Sequence, residues 1–196
     1  RTKSSAASDV YKRQAVDYNV STGEKSALRI NFHSDTLENH RDFYDGDRYG
    51  FNPTLRLEIS PETTLDLSYE HADHERFIDR GVPTLNGEPV EAFEDIVFGD
   101  TDTNLQTLRA DIYRANLSHE FSETSKGNLV IQYSDFQKLY KNYYASGYSG
   151  GDTFTADGYL DPTERNNLII SGNIVNEFQT GSAKHTLLVG AETVSY

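Results

Sequence analysis

Leu55-Arg56-Leu57-Glu58-Ile59-Ser60-Pro61-Glu62-Thr63-Thr64-Leu65-Asp66-Leu67-Ser68-Tyr69-Glu70 is the stretch of the chain that decides its fold class. Apolar residues alternate with polar or charged ones on both sides of a short break at residues 61–63. Successive side chains of a β-strand point to opposite faces, so each half of the stretch has one apolar and one polar face. The stretch therefore predicts two antiparallel strands joined by a tight turn.

The same alternation recurs in eight segments along the chain. Short turns follow the first, third, fifth and seventh segments, at residues 22–25, 61–63, 122–127 and 180–184. Longer polar connections follow the second, fourth and sixth segments, at residues 36–47, 77–107 and roughly 141–164. Short turns on one rim and long loops on the other are the organisation of an outer-membrane β-barrel.

The composition suits a membrane barrel, because each strand of a barrel needs apolar side chains on one face only. The chain is 36 % hydrophobic with a mean hydropathy of −0.67, yet it contains 13 Tyr and 10 Phe. Aromatic residues near strand ends, such as Tyr49, Phe51, Phe121 and Phe178, suit the girdles at the membrane surfaces. A soluble β-sandwich gives similar totals, but the length of the strands and the separation of the connections favour the barrel.

The predicted barrel is partial. Leu108 and Ala110 fall out of phase with Tyr113 and the residues after it, which predicts a bulge or a wet end in the fifth strand. Tyr196 lies just past a strand that shows no clear stop. We predict an all-β fold: an antiparallel up-and-down transmembrane β-barrel cut to about eight consecutive meander strands, which form an open curved sheet with unpaired edges on the first and eighth strands.

Two regions are predicted. Residues 1–14 are basic, show no useful periodicity and contain no apolar signal-peptide segment, so we interpret them as a non-native or disordered leader. A genuine flexible leader is the alternative. Residues 15–196 are predicted to be the partial barrel, without a plug domain and without the remaining strands.

Several other functions are disfavoured. A formal net charge of −13 opposes nucleic-acid binding, and the absence of cysteine excludes thiolate chemistry. His71 and His74, three apart on a strand, point to opposite faces and cannot readily share a metal ion. Asp100, Asp102 and Asn104 have the spacing that begins a calcium loop but lack its central Gly and final Glu. We predict no metal site, and no catalytic constellation indicates an enzyme.

Several stretches resemble TonB-dependent siderophore receptors of the ferrichrome and pyoverdine receptor type. They are Arg48-Tyr49-Gly50-Phe51-Asn52-Pro53-Thr54-Leu55, Thr63-Thr64-Leu65-Asp66-Leu67-Ser68-Tyr69-Glu70-His71, Asp79-Arg80-Gly81-Val82-Pro83, Phe98-Gly99-Asp100 with Asn104, and His185-Thr186-Leu187-Leu188-Val189-Gly190-Ala191-Glu192. The resemblance covers residues 15–196. A single stretch is a weak match, and the order and spacing of all the stretches make the resemblance specific.

The resemblance implies a full protein with a TonB box, a plug and a barrel of 22 strands in the outer membrane of a Gram-negative bacterium. It implies a ferric siderophore as the transported ligand, no cofactor, contact with outer-membrane lipid, and energy from TonB, ExbB and ExbD. The polar strand face carries Arg29, Arg56 and Asp66, which suits a plugged or an open barrel equally. A passive porin or structural barrel is therefore the alternative function, and a soluble β-rich binding module is a third.

Five aromatic residues of the long connections are the ligand-binding candidates. Tyr143, Tyr144 and Tyr148 lie in the third long connection, and Phe43 and Tyr44 lie in the first. Aromatic rings give broad contact with a bulky chelate at a small entropic cost. The competing interpretation of these residues is a girdle or internal packing of the loops.

Overall fold

The computed structural model describes residues 11–39, 41 and 43–196, and these form one long antiparallel sheet with a small accessory hairpin. The elements in chain order are β1 (Tyr11–Gly23), β2 (Ser26–Glu38), β3 (Asp45–Ser60), β4 (Thr63–Phe77), β5 (Thr84–Leu85), β6 (Glu88–Pro89), a short 3₁₀ helix (Glu91–Phe93), β7 (Leu105–Ser122), β8 (Ser125–Gly147), β9 (Thr155–Thr180) and β10 (Ala183–Ser195). No helix among the described residues is long and apolar enough to cross a membrane.

The eight long strands form a meander in the order β1-β2-β3-β4-β7-β8-β9-β10. Every neighbouring pair is antiparallel, and β1 and β10 lie at the two edges without pairing to each other. Two residues separate the strands at each of the four turns, which are residues 24–25, 61–62, 123–124 and 181–182. The predicted open meander of eight strands and the four short turns on one rim are confirmed.

One face of the sheet is apolar along the middle of the strands. Directly paired residues share a face, so Leu65, Leu117 and Leu129 line up across β4, β7 and β8. Their exposed apolar neighbours on this face include Tyr18, Phe51, Leu67, Ile131, Ile170 and Val189. We call it the outer face, since side chains of this type face lipid in a barrel.

The opposite face, the inner face, carries ion pairs between neighbouring strands. Arg29 binds Asp17 through two hydrogen bonds of 2.9 and 2.6 Å, and Arg56 binds Asp66 in the same way at 2.7 and 2.8 Å. Arg114 donates to the side-chain oxygen of Gln132. A cavity of about 510 Å³ on the inner face of β1–β4 and β7 is bordered by Arg29, Arg56, Asp66 and Arg114.

Rings mark both ends of the apolar band. At one end the ring centroids of Tyr69 and Tyr113 are 4.9 Å apart, and Tyr133 continues the row at 6.5 Å from Tyr113. Near the two-residue turns, Phe121 packs on His119. From Tyr113 to Phe121 the strand rises roughly 27 Å at about 3.4 Å per residue. That distance matches an apolar belt of about 25 Å.

Two of the three long connections are shorter than the sequence predicts. The connection predicted at roughly residues 141–164 is wrong, because β8 and β9 stay paired as far as Gly147 and Thr155 and leave only residues 148–154 between them. The first connection is residues 39–44 rather than 36–47. Beyond the apolar band both strand faces are wetted, so the strands continue without the alternation that reveals them in the sequence. The predicted second connection, 77–107, agrees with the observed residues 78–104 to within three residues.

The bulge predicted for the fifth strand near residues 108–113 is absent, and the register shift of β7 lies at its end, between Glu120 and Ser122. The register of β7 with β4 runs without a shift from Leu105 to His119, and its register with β8 is continuous from Leu105 to Glu120. Leu108 and Ala110 therefore face inward, and Ala110 is buried. The change of phase marks the point where the strand leaves the apolar band. This agrees with the other predicted explanation, a strand end that lies in water beyond the membrane.

At the start of the chain, β1 begins at Tyr11, so residues 11–14 of the predicted leader pair with β2. The remainder of that leader, residues 1–10, lies outside the described residues. Whether the leader is native stays a prediction.

Candidate ligand-binding surface above the apolar band

The connection between β4 and β7, residues 78–104, folds over the end of the sheet opposite the short turns; we call it the cap. Its hairpin turns at Asn86 and Gly87, both with positive φ (54° and 86°), which is the geometry of a type I′ turn. Ile78 and Phe98 of the cap are buried, as is Phe77 at the end of β4. The cap is therefore a packed element rather than a loose loop.

Asn104 joins the cap to β8. Its side-chain amide nitrogen donates to the carbonyl oxygens of Ile78 (3.0 Å) and Tyr143 (2.9 Å), and its amide oxygen accepts from the backbone N–H of Tyr143 (2.8 Å) and of Asp100 (3.3 Å). Asn104 is only 1 % exposed. Its side chain thus takes the hydrogen bonds that one more residue of β7 would make with β8.

The calcium-like spacing of Asp100, Asp102 and Asn104 is explained by this turn. Oδ1 of Asp100 accepts from the backbone N–H of Asp102 at 2.9 Å, and the carbonyl oxygen of Asp100 accepts from Thr103 and Asn104. The Asn104 side chain is already occupied as described above. The spacing therefore reflects a local turn that presents the Asn104 amide to β8.

An aromatic cluster ties the cap to the tip of the β8–β9 hairpin. The ring centroid of Phe93 lies 5.6 Å from that of Phe98 and 5.3 Å from that of Tyr148, and Phe98 lies 5.0 Å from Phe154. Tyr148 also donates its hydroxyl to the carbonyl oxygen of Gly151 at 2.9 Å. These rings pack mainly on one another.

Tyr144 and Arg80 form a second contact between the cap and the hairpin. Tyr144 lies on the inner face of β8, and the Arg80 guanidinium carbon is 4.3 Å from the centroid of its ring. The Tyr144 hydroxyl donates to Asp157 on β9 at 3.4 Å. Arg80 is exposed and has no carboxylate partner in the part of the chain that the structure describes. Its charge is available to a negatively charged ligand group.

Further charged and polar groups continue along the same face. Lys138 donates to Asp161 at 2.8 Å, and this hydrogen bond raises the pKa of the lysine above its ordinary value. Asn142 lies between Lys138 and Tyr144 on the inner face and is 1 % exposed. Both polar atoms of its side chain lack a hydrogen-bond partner among the described residues. A buried unpaired amide is costly, so this position favours a polar partner such as water.

The structure separates the five predicted ligand residues. Tyr143 and Tyr144 lie on strand β8 rather than in a connection, which corrects the predicted placement, and adjacent positions put their rings on opposite faces. Tyr148 begins the short connection after β8 and belongs to the aromatic cluster. Phe43 is 61 % exposed with φ 65°, and Tyr44 follows it. No ring contact between described residues joins these two to the three tyrosines.

Some residues that organise this surface were not candidates from the sequence. Asp79, Arg80, Gly99 and Asn104 occur in the stretches that carry the family resemblance, but those stretches assign them no role. Arg41 has no sequence signal at all, because its partners are 38 to 55 residues away. Only the pairing of strands brings these positions together.

No protein-family model matches the chain, but two curated receptors are similar to it in sequence. The metal-pseudopaline receptor CntO of Pseudomonas aeruginosa is 26 % identical over 206 residues, which cover 100 % of this chain and 28 % of that receptor. The catecholate siderophore receptor Fiu of Escherichia coli K12 is 21 % identical over 209 residues, covering 93 % of this chain and 27 % of Fiu.

Solved structures agree with these relatives. The sheet superposes on the crystal structure of the ferric-catecholate import receptor Fiu with a TM-score of 0.81 and on the ferripyoverdine receptor of the Pseudomonas aeruginosa outer membrane with a TM-score of 0.86. Both superpositions cover 96 % of the chain, at 19 % and 15 % identity. The resemblance to TonB-dependent siderophore receptors is confirmed. The chain spans 30 % and 26 % of those receptor chains, so its fold matches a section of the barrel in each of them.

The relatives are transport receptors rather than enzymes, and they are outer-membrane proteins. They lend no support to the porin alternative.

Proposed function

We propose that the chain is a section of the barrel wall of an outer-membrane receptor that binds ferric siderophores and imports them with energy transmitted by TonB, ExbB and ExbD. The observation that carries the proposal is the arrangement of the sheet, which matches the wall of siderophore receptors along 96 % of the chain. The apolar outer face suits a position in the outer membrane of a Gram-negative bacterium, in contact with lipid.

In this proposal the other parts of the receptor lie elsewhere in a longer protein. A plug, a TonB box and further strands would complete it, and residues 1–14 would be a non-native leader. In this arrangement the short turns face the periplasm and the cap and the β8–β9 hairpin face the outside. The ion-paired inner face of β1–β4 would line the barrel.

The ligand is proposed to contact the surface that the cap and the hairpin build together. Tyr144 and Arg80, which has no carboxylate partner among the described residues, offer a ring and a cation on the inner side, where a chelate enters the barrel. Tyr148 supports this surface from the aromatic cluster. Phe43, Tyr44 and Tyr143 remain candidates; the side chains of Phe43 and Tyr143 are exposed, and that of Tyr44 is partly exposed.

The test is uptake of radioactive iron by cells that lack their own siderophore receptors and express the full-length protein. We expect accumulation from at least one of three chelator classes, catecholates, hydroxamates and metal–pseudopaline complexes, and loss of accumulation in a host without TonB. Uptake that persists without TonB would favour a passive porin. If none of the three classes is taken up by correctly inserted protein, the proposed ligand is wrong.

A further inference from the structure

A partly buried arginine in another connection bonds the base of the cap. Arg41, between β2 and β3, bonds the Asp79 carboxylate through Nε and Nη2 and bonds the carbonyl oxygens of Glu94 and Ile96 through Nη1 and Nη2, the last at 2.7 Å. The Arg41 side chain is 14 % exposed and that of Asp79 is 5 % exposed. A planar guanidinium with five donors can serve these acceptors together, which a lysine cannot do.

The acceptors lie at both ends of one segment. Asp79 stands at the start of the cap, and Glu94 and Ile96 lie 15 and 17 residues later. Arg41 therefore closes this segment into a ring and connects it to the β2–β3 connection. Closure of a flexible loop removes entropy, and a hydrogen-bonded side chain at its base restricts the positions that the segment can take.

The same contact fixes the backbone on both sides of Arg80. Asp79 uses Oδ1 to accept the backbone N–H of Gly81 at 2.8 Å, and Gly81 has φ 81°, a conformation that favours glycine. Arg80 thus lies between a carboxylate held by Arg41 and a glycine held by that carboxylate. Its guanidinium then reaches the Tyr144 ring at 4.3 Å.

We propose that Arg41 is a positioning residue that holds Arg80 on Tyr144 by fixing the base of the cap. Without Arg41, Asp79 is left as a buried charge without its partner and the turn at Arg80 loosens. The inference rests on the proposed function for the role of Arg80 toward ligand. The geometric part, that Arg41 fixes Arg80, is tested separately.

The geometric part is tested by hydrogen exchange in the full-length protein. Arg41→Ala should speed exchange of the Gly81 amide about tenfold or more, while the Tyr143 amide, held by Asn104, keeps its rate. Arg41→Lys retains the charge but lacks the planar set of donors, so it should speed exchange of the Gly81 amide about as much as Arg41→Ala. Arg76→Ala is the matched control, because Arg76 lies near the same strand ends and bonds only Gln106 among the described residues. Unchanged exchange at Gly81 in both Arg41 variants would overturn the inference.

The functional part is tested by a double-mutant cycle on ligand affinity. The probes are the ferric complexes of a catecholate and of a hydroxamate chelator and a metal–pseudopaline complex. For a probe that binds, Arg80→Ala and Arg41→Lys should each weaken affinity about tenfold, and the double variant should be no weaker than the worse single one. Fully additive losses would show that Arg41 does not act through Arg80 and would overturn the inference. If Arg80→Ala binds every probe normally, the proposed ligand surface fails, whereas the exchange result still decides the positioning of Arg80.

Discussion

At the scale of single residues, the cap is held by side chains that replace backbone contacts. Asn104 extends the β7–β8 ladder with its side-chain amide. Arg41 donates to the backbone carbonyl oxygens of Glu94 and Ile96, which lie outside the strands. Each contact joins residues that lie far apart in sequence. The stretches containing Asp79 and Asn104 were recognisable as motifs, but their partners depend on strand register and could not be inferred from local patterns.

Substitution of Asn104 should release the cap from β8. Asn104→Ala removes four hydrogen bonds and leaves the N–H and carbonyl of Tyr143 without partners, so we expect a local loss of about 2–4 kcal/mol. Hydrogen exchange of the Tyr143 amide in the full-length protein measures it, and the rate should rise roughly 30-fold or more. Thr84→Ala, at an exposed cap position, is the control. An unchanged Tyr143 rate would mean that the cap docks without Asn104.

Gly99 should tolerate no side chain. A Cβ at this position would lie 2.2 Å from the Asn104 amide nitrogen and 2.9 Å from the Tyr143 carbonyl oxygen. Both atoms belong to the contact through which Asn104 connects the cap to β8. Gly99→Ala should therefore increase the rate of limited proteolysis within the cap. Gly147→Ala is the matched control, because its Cβ would meet the nearest atom, Thr155 Cβ, at 3.7 Å. Equal rates of proteolysis within the cap for the two variants would show that the contact between Asn104 and β8 can shift to accommodate the added methyl group.

His74 should titrate below the ordinary histidine value of about 6.5. Burial lowers its pKa most, and the charges of Arg48 and His33 lower it further, against the opposing effect of Asp73 and Asp35. The folded state thus favours neutral His74, so its contribution to stability is complete above the unfolded pKa and declines as pH falls below it. NMR titration of the histidine rings, assigned with His74→Gln, measures this. A pKa of 6.5 or higher for His74 would contradict the prediction.

At the scale of elements, the sequence predicts strands well where one face meets lipid and poorly where both faces meet water. The short turns were located correctly because alternation stops abruptly at them. The end of β8 and the start of β9, residues 141–147 and 155–164, were missed because Asn142, Tyr143 and Tyr144 show no alternation, although their pairing with β9 is continuous. The predicted opposite orientation of His71 and His74 holds: His71 bonds Asp111 from the outer face, and His74 pairs with Arg48 on the inner face.

Adjacent positions on β8 should differ in how much stability they lose when an arginine is introduced. Leu129 lies on the outer face near the middle of the apolar band, and Val130 lies on the inner face opposite Ser171. Leu129→Arg should lower the free energy of unfolding of the full-length protein in lipid vesicles by about 2–4 kcal/mol. Val130→Arg should cost clearly less, because its side chain reaches the polar interior. Denaturant titration compares them, and equal losses would contradict the assignment of the two faces.

At the scale of the whole molecule, the sheet matches a section of a larger barrel wall, because it covers 30 % of the solved Fiu chain and 26 % of the solved ferripyoverdine receptor chain. Its long edges are β1 and β10, and an edge strand leaves about half of its backbone N–H groups without partners. In a closed barrel such edges do not exist. The proposal that further strands complete the receptor therefore predicts that β1 and β10 gain partners in the full-length protein.

Hydrogen exchange can compare β10 in the two contexts. In the isolated chain, refolded in detergent, alternate amides of Ala183–Ser195 should exchange nearly without protection, while those of β9, paired on both sides over Leu168–Asn176, stay protected. In the full-length protein every second β10 amide should become as slow as its β9 neighbours. If every second β10 amide also exchanged without protection in the full-length protein, β10 would be a true edge of the sheet. The backbone groups of an open edge find no hydrogen-bond partners in lipid, so the assignment to a membrane barrel would then be wrong.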